Sequence, residues 1–173
     1  MLKIALTGGI GTGKTYLSKH FIEMGIPVFY ADEEAKKLYA DPQVIQFFKN
    51  HFGDSVFSNQ QLDFKKIATL VFSNSDSLTL VNQFIHPLVL SKFEEWAIQQ
   101  NTQSVMMESA IIFEAHLESY FDKIIVVDSP LPVRIERIKK RSPHLTEEEI
   151  FQRISNQISQ EVKCQKADLV IQN

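Results

Sequence analysis

Lys14 and Thr15 close a run that opens Gly8-Gly9-Ile10-Gly11-Thr12-Gly13, and the eight residues satisfy G-x-x-x-x-G-K-[ST] in full. Glycines let successive backbone N–H groups turn inward and cradle phosphate oxygens; the lysine reaches β- and γ-phosphates and the hydroxyl meets Mg2+. With Tyr16 next in line, Gly8 to Tyr16 is the expected ATP grip, with Thr15 as a metal ligand. A dinucleotide fingerprint is the competing reading of the same glycines. It fails, because no G-x-G-x-x-G registers on them and a lysine occupies the turn.

Four further groups could act on a held phosphate. Asp32 follows an apolar stretch on the side where open α/β sheets bind ligands, and reads equally well as a helix cap. Glu108 ends the apolar run Ser104 to Glu108, where an acid can hold a Mg2+-bound water or stand solvated. Asp128, ending Lys123 to Asp128, is a weaker candidate for the same role, because it also reads as a cap for the helix at Pro130. Arg134, Arg137 and Arg141 fall at i, i+3 and i+7, one helical face, which is either a solvated basic face or a set of phosphate-neutralising cations. His20, His51, His116 and His144 have no metal-ligand spacing.

These groups need a frame. Leu2–Thr7 reads as a strand, Lys14 to Met24 as a helix stopped by Gly25, and residues 26–32 as a second strand ending at Asp32. Strand, helix, strand is a βαβ unit with parallel strands. The next seventy residues hold no convincing strand: Asp41-Pro42 and Asp63 start helices, and His86-Pro87 divides helices at 76–85 and 87–100. Strands return at 104–108 and 123–128, a helix runs over 130–140, and Thr146-x-x-Glu149 caps another carrying Ile150, Ile154 and Ile158. Residues 167–173 close the chain as a last strand. The fold class is α/β: a P-loop NTPase-like parallel sheet flanked by helices, with a helical insertion and a late two-helix hairpin.

The 173 residues, 44% hydrophobic with a net charge of −3, suffice for one core and give no general attraction to nucleic acid or anionic membrane. Met1 to Gly9 has too short an apolar part for a signal peptide, and no apolar run reaches membrane-spanning length. Cys164 stands alone, which fits a reducing compartment. The expectation is a cytoplasmic protein. No guanine-reading N-K-x-D segment is present, so the phosphate grip points to a small-molecule kinase that closes over its acceptor, not to a GTPase switch.

Beyond the loop, Tyr30-Ala31-Asp32, His86-Pro87-Leu88, Ile111-Ile112-Phe113-Glu114 and the run Arg153-Ile154…Gln157…Lys163…Ala167-Asp168-x-Val170-Ile171-x-Asn173 resemble the dephospho-coenzyme A kinase family, in order and over essentially the whole chain. The resemblance implies ATP-dependent phosphorylation of the ribose 3′-hydroxyl of dephospho-CoA, with ATP and dephospho-CoA as the partners and Mg2+ as cofactor. It implies Asp32 as general base or hydroxyl positioner, His86 as an acceptor-site residue, and Lys14, Arg137 and Arg141 as catalytic cations, the arginines in a lid. Arg153 and Gln157 belong to the same pattern without a defined role. The division it implies is a core of residues 1–31, 104–130 and 164–173, an acceptor-binding insertion of 32–103 and a lid of 131–163. Three positions depart from the family pattern: Tyr16 where a second hydroxyl residue is common, Phe64 in place of an arginine, and Ala110 in place of a proline. Two rivals stand beside this reading, another P-loop kinase and a non-enzymatic ATP-sensing switch.

Overall fold

The computed structural model describes residues 1–173, apart from the side chains of residues 72 and 73. Its strands are β1 (Leu2–Thr7), β2 (Val28–Tyr30), β3 (Phe57–Ser58), β4 (Gln61–Leu62), β5 (Ser104–Glu108), β6 (Lys123–Asp128) and β7 (Leu169–Gln172). Its α-helices are α1 (Lys14–Glu23), α2 (Ala31–Leu38), α3 (Pro42–Phe52), α4 (Phe64–Ser73), α5 (Ser75–Ile98), α6 (Leu131–Arg141), α7 (Glu147–Ser155) and α8 (Gln160–Lys166). The chain divides into two compact units, residues 1–30 with 96–173, and residues 31–95.

The first unit is built on a five-stranded sheet in the order β2-β5-β1-β6-β7, every pair parallel. Parallel strands covered on both faces are apolar throughout, not alternating. The central strands obey this: Ala5, Leu6, Val105, Met106, Val126 and Val127 are all fully buried. Leu17 and Phe21 of α1 pack on the patch formed by Ile4, Leu6, Met106, Ile125 and Val127. Asp168 sets the register of β7, since its carboxylate accepts from the Ile124 N–H and pairs with Lys123, which holds its pKa below the usual carboxylate value. Parallel order puts all the carboxyl ends on one edge, so the loop after β1, Glu108 of β5 and Asp128 of β6 share it.

Residues 31–95 form the second unit. Asp41 caps α3 through the Gln43 N–H with Pro42 at the first position, and Asp63 caps α4 through Lys65 and Lys66, as the sequence leads one to expect. Its core is aromatic: Phe48 is fully buried, Phe47 stacks on Phe84 at 3.9 Å between centroids, and Tyr39 packs on Phe48 and Phe64. Burial pushes the Tyr39 phenol upward.

Four local expectations are corrected. The second strand covers only Val28–Tyr30, and Asp32 lies in the first turn of α2, where Glu33 and Glu34 join it near the positive end of the helix dipole. A two-strand hairpin, β3–β4, interrupts the helical stretch; Asn59 and Gln60 take left-handed backbone angles (φ 49° and 64°), as a tight primed turn demands. His86-Pro87 does not divide two helices. Pro87 sits inside α5, and its missing N–H costs about 3 kcal/mol. Val81, Ile85, Val89, Phe93 and Ala97 form one buried stripe at four-residue spacing across it, burial worth several times that amount. Finally, α7 ends at Ser155, short of Ile158, and a separate helix, α8, follows with Ser159 capping it through the Val162 N–H. Among the described residues no helix is long and apolar enough to cross a membrane.

Candidate active site

The glycine loop leaves β1 at Thr7 and re-enters helix at Lys14, so its path is fixed at both ends. Gly8 takes φ 142°, and a Cβ there would collide with the Val127 carbonyl oxygen, leaving no room for a side chain. Gly13 is the left-handed residue before α1 (φ 95°), and a side chain there would strike the Asn173 amide. Lys14 is buried and its ammonium donates to the carbonyls of Gly8 at 2.9 Å and Gly9 at 3.3 Å. The Thr15 hydroxyl donates to Glu108 Oε2 at 3.0 Å, and Glu108 is itself buried. The β5 register explains this contact, because Glu108 lies opposite Leu6, two residues short of the loop.

Gly11, Gly13, Lys14, Thr15, Arg137 and Arg141 line a cavity of about 140 Å3. Arg137 also donates to the Thr12 carbonyl at 3.1 Å and to the Ser129 hydroxyl at 3.3 Å. A larger open groove of about 570 Å3, along Asp128, Arg134, Gln160 and Cys164, contains neither Lys14 nor Thr15. An ammonium, two guanidiniums and a helix N-terminus converge on the smaller cavity, an arrangement suited to an anion.

The arginine face divides. Arg134 is buried and donates from Nε to the Ile10 carbonyl at 2.9 Å; burial lowers its pKa, with Asp128 opposing the shift. It is therefore no member of a solvated face. Arg137 is half-buried and Arg141 exposed at the cavity. Asp128 does not cap α6: its carboxylate accepts from the Gln172 amide, and no side chain caps that helix. Arg153 is exposed beside Glu149 and lies outside the cavity lining.

Asp32 and His86 belong to the second unit. Asp32 is exposed as the second residue of α2, one place inside the helix and not at its cap. His86 is half-buried within α5, and desolvation lowers its pKa, which favours the neutral imidazole.

Sequence reasoning passed over Gln160, and it placed Gln157, Lys163, Glu114 and Asn173 in the family pattern without saying what they hold. Gln160, Gln157 and Asn173 each bond the loop backbone, and Lys163, fully buried, pairs with Glu114 at 2.7 Å while donating to the Ala110 carbonyl. Glu114 also accepts from the Ile158 N–H, so the Ile111–Glu114 segment anchors the start of α8. An isolated glutamine such as Gln160 carries no periodic or motif signal, and only the fold reveals what it and Gln157 reach.

Against known proteins, the family model described as dephospho-CoA kinase matches residues 2–173. A dephospho-CoA kinase of Bacteroides fragilis is 40% identical over 175 residues, covering 99% of this chain and 84% of that relative. A Thermus thermophilus protein, TT1252, superposes with a TM-score of 0.90 at 28% identity, covering 99% of this chain and 88% of the other. The dephospho-CoA kinase structure from Campylobacter jejuni gives a TM-score of 0.67 at 24% identity, covering 99% and 87%, a likeness of fold.

Proposed function

The chain belongs to the dephospho-CoA kinase family, and from that premise we propose how its own residues carry the ATP-dependent phosphorylation of dephospho-CoA to coenzyme A. The γ-phosphoryl group moves from ATP to the ribose 3′-hydroxyl, the bond to the β-phosphate breaks, and ADP leaves. The transition state is loose and anionic, so catalysis here is positioning plus charge stabilisation. The convergence of Lys14, Thr15, Arg137 and Arg141 on one cavity is the observation that carries this reading.

In this account residues Gly8 to Tyr16 hold the ATP phosphates. Lys14 exchanges its bonds to the Gly8 and Gly9 carbonyls for phosphate oxygens, which form stronger, charge-assisted bonds. Arg137 and Arg141 act as lid cations on the transferring group. Asp32 accepts the hydroxyl proton, and His86 contributes to holding the acceptor. The Thr15 hydroxyl and the Glu108 carboxylate, in contact with each other, would supply oxygens suited to holding Mg2+, which would offset the phosphate charge when bound. Among the described residues no group of three or more His, Cys, Asp or Glu could hold a metal ion. A cytoplasmic location, where ATP is replenished, completes the proposal.

The direct test is ATP consumption by the purified protein with and without dephospho-CoA, with coenzyme A identified by mass spectrometry. Consumption should stay near background until the acceptor is added. Equal ATP turnover in both arms would sink the acceptor assignment.

The lid assignment has its own expected result. Arg137→Ala and Arg141→Ala should each lower kcat by about 10²-fold, because the charge they meet develops in transfer. KM for dephospho-CoA should change little. A rise in that KM at constant kcat would make them docking residues instead.

A further inference from the structure

Two consecutive N–H groups of the phosphate loop, those of Gly9 and Ile10, are bonded by side chains. Gln160 Oε1 accepts from the Gly9 N–H at 2.8 Å while its Nε2 donates to the Val127 carbonyl at 2.8 Å. Gln157 Oε1 accepts from the Ile10 N–H at 2.8 Å, and Arg134 Nε donates to the carbonyl of that same residue. Both polar groups of Ile10 are thus held by side chains, and the Asn173 amide holds the Thr12 carbonyl at 2.9 Å.

Gln160 joins the loop to a strand through a single side-chain amide. Its amide spans from the start of the loop to the carboxyl end of β6, the strand that leads into Ser129 and α6. Both ends of the amide are specified, since a backbone donor fixes its oxygen and a backbone carbonyl fixes its nitrogen. Only glutamine gives a donor and an acceptor at this reach. Asparagine is one carbon short, glutamate at neutral pH lacks the donor, and methionine keeps the length with neither. Helix α8, which carries Gln160, is anchored one turn later by the buried Lys163–Glu114 pair.

We propose that Gln160 is a positioning residue for phosphoryl transfer: it fixes the outer side of the phosphate loop to β6, so that the cavity-facing part, Gly11 to Thr15, meets ATP in reactive geometry. It rests on the kinase reading above. Gln160 acts through Gly9 and is absent from the lining of the phosphate cavity. Displacement of a reacting group by an ångström costs on the order of 10²-fold in rate, so a brace of two hydrogen bonds has leverage beyond its contribution to stability.

The experiment compares wild type, Gln160→Met and Gln160→Glu in coenzyme A formation, ATP titration calorimetry without acceptor, and thermal melting. In Gln160→Met, kcat should fall about 10- to 100-fold, ATP should bind more weakly, and KM for dephospho-CoA should hold within about twofold. Gln160→Glu still accepts from Gly9 but turns a carboxylate oxygen toward the Val127 carbonyl. Its activity relative to wild type should be low at about pH 8 and recover toward about pH 6, as the protonated carboxyl regains a donor. A structural role alone would lower melting temperature and active fraction together, with a flat pH ratio; that result, or wild-type kcat in Gln160→Met, overturns the proposal. A wild-type protein that makes no coenzyme A defeats the kinase reading separately. The ATP titration then judges the brace, since unchanged affinity in Gln160→Met would defeat it too.

Discussion

Lys14→Ala should lower the rate of coenzyme A formation by on the order of 10²- to 10³-fold, with the fold intact. The size follows from what the ammonium exchanges. In the protein without nucleotide it donates to two neutral carbonyls within its own loop. On the proposed reading, ATP brings it phosphate oxygens whose charge shifts toward the leaving group as transfer proceeds, in a cavity also lined by Arg137 and Arg141. One preorganised stabiliser of this kind is worth about 3–4 kcal/mol in the transition state. The loss to folding should be smaller: the Gly9 carbonyl still accepts from the Thr12 N–H and hydroxyl, and a single hydrogen bond such as that to Gly8 contributes about 1 kcal/mol. Melting temperature and initial rates on one preparation separate the two effects. Lys14→Arg should recover little, because a planar fork does not replace a compact ammonium in so small a space. Near-normal turnover in Lys14→Ala would remove the lysine from the mechanism.

The frame that positions Lys14 was legible because its signals are local and strong. Apolar runs of strand length, a complete glycine motif and a stop at Gly25 define β1, the loop and α1 with little help from elsewhere. The capping box at Thr146 and Glu149 and the caps at Asp41 and Asp63 were legible for the same reason, each being a contact over two or three residues. What stayed hidden depends on contacts far apart in sequence. Pro87 reads as a breaker, yet a buried stripe spanning both sides of it keeps α5 continuous. Asn59-Gln60 lacks the glycine that usually marks a primed turn, so β3–β4 left no trace. Arg134 shares a helical face with Arg137 and Arg141, but only the approach of the loop, some 124 residues away in the chain, decides that it is buried against Ile10. The chemistry-bearing residues announce themselves by type; their supports do not.

Asp32→Asn should fold as wild type, bind ATP as wild type, and lose on the order of 10²- to 10⁴-fold in phosphoryl transfer. The sequence left two roles for this carboxylate, cap or reactant, and the start of α2 separates their energetics. The helix begins at Ala31, so Asp32 is inside the first turn, exposed, with Glu33 and Glu34 beside it. Removing its charge there forfeits an interaction with the helix dipole of about 0.3–1 kcal/mol, and two acidic neighbours remain to serve the same end. A general base contributes about 3–5 kcal/mol to the barrier, several times more. The two roles therefore predict different ratios of activity loss to stability loss, and asparagine, equal in size and unable to take a proton, reads that ratio. Rates of coenzyme A formation, calorimetric ATP affinity and melting temperature should be measured on the same protein. Asp32→Glu keeps the base but lengthens its reach, and should fall between wild type and Asp32→Asn in rate. Parallel losses of melting temperature and activity would assign Asp32 to the helix, and full activity with unchanged melting would end its catalytic role.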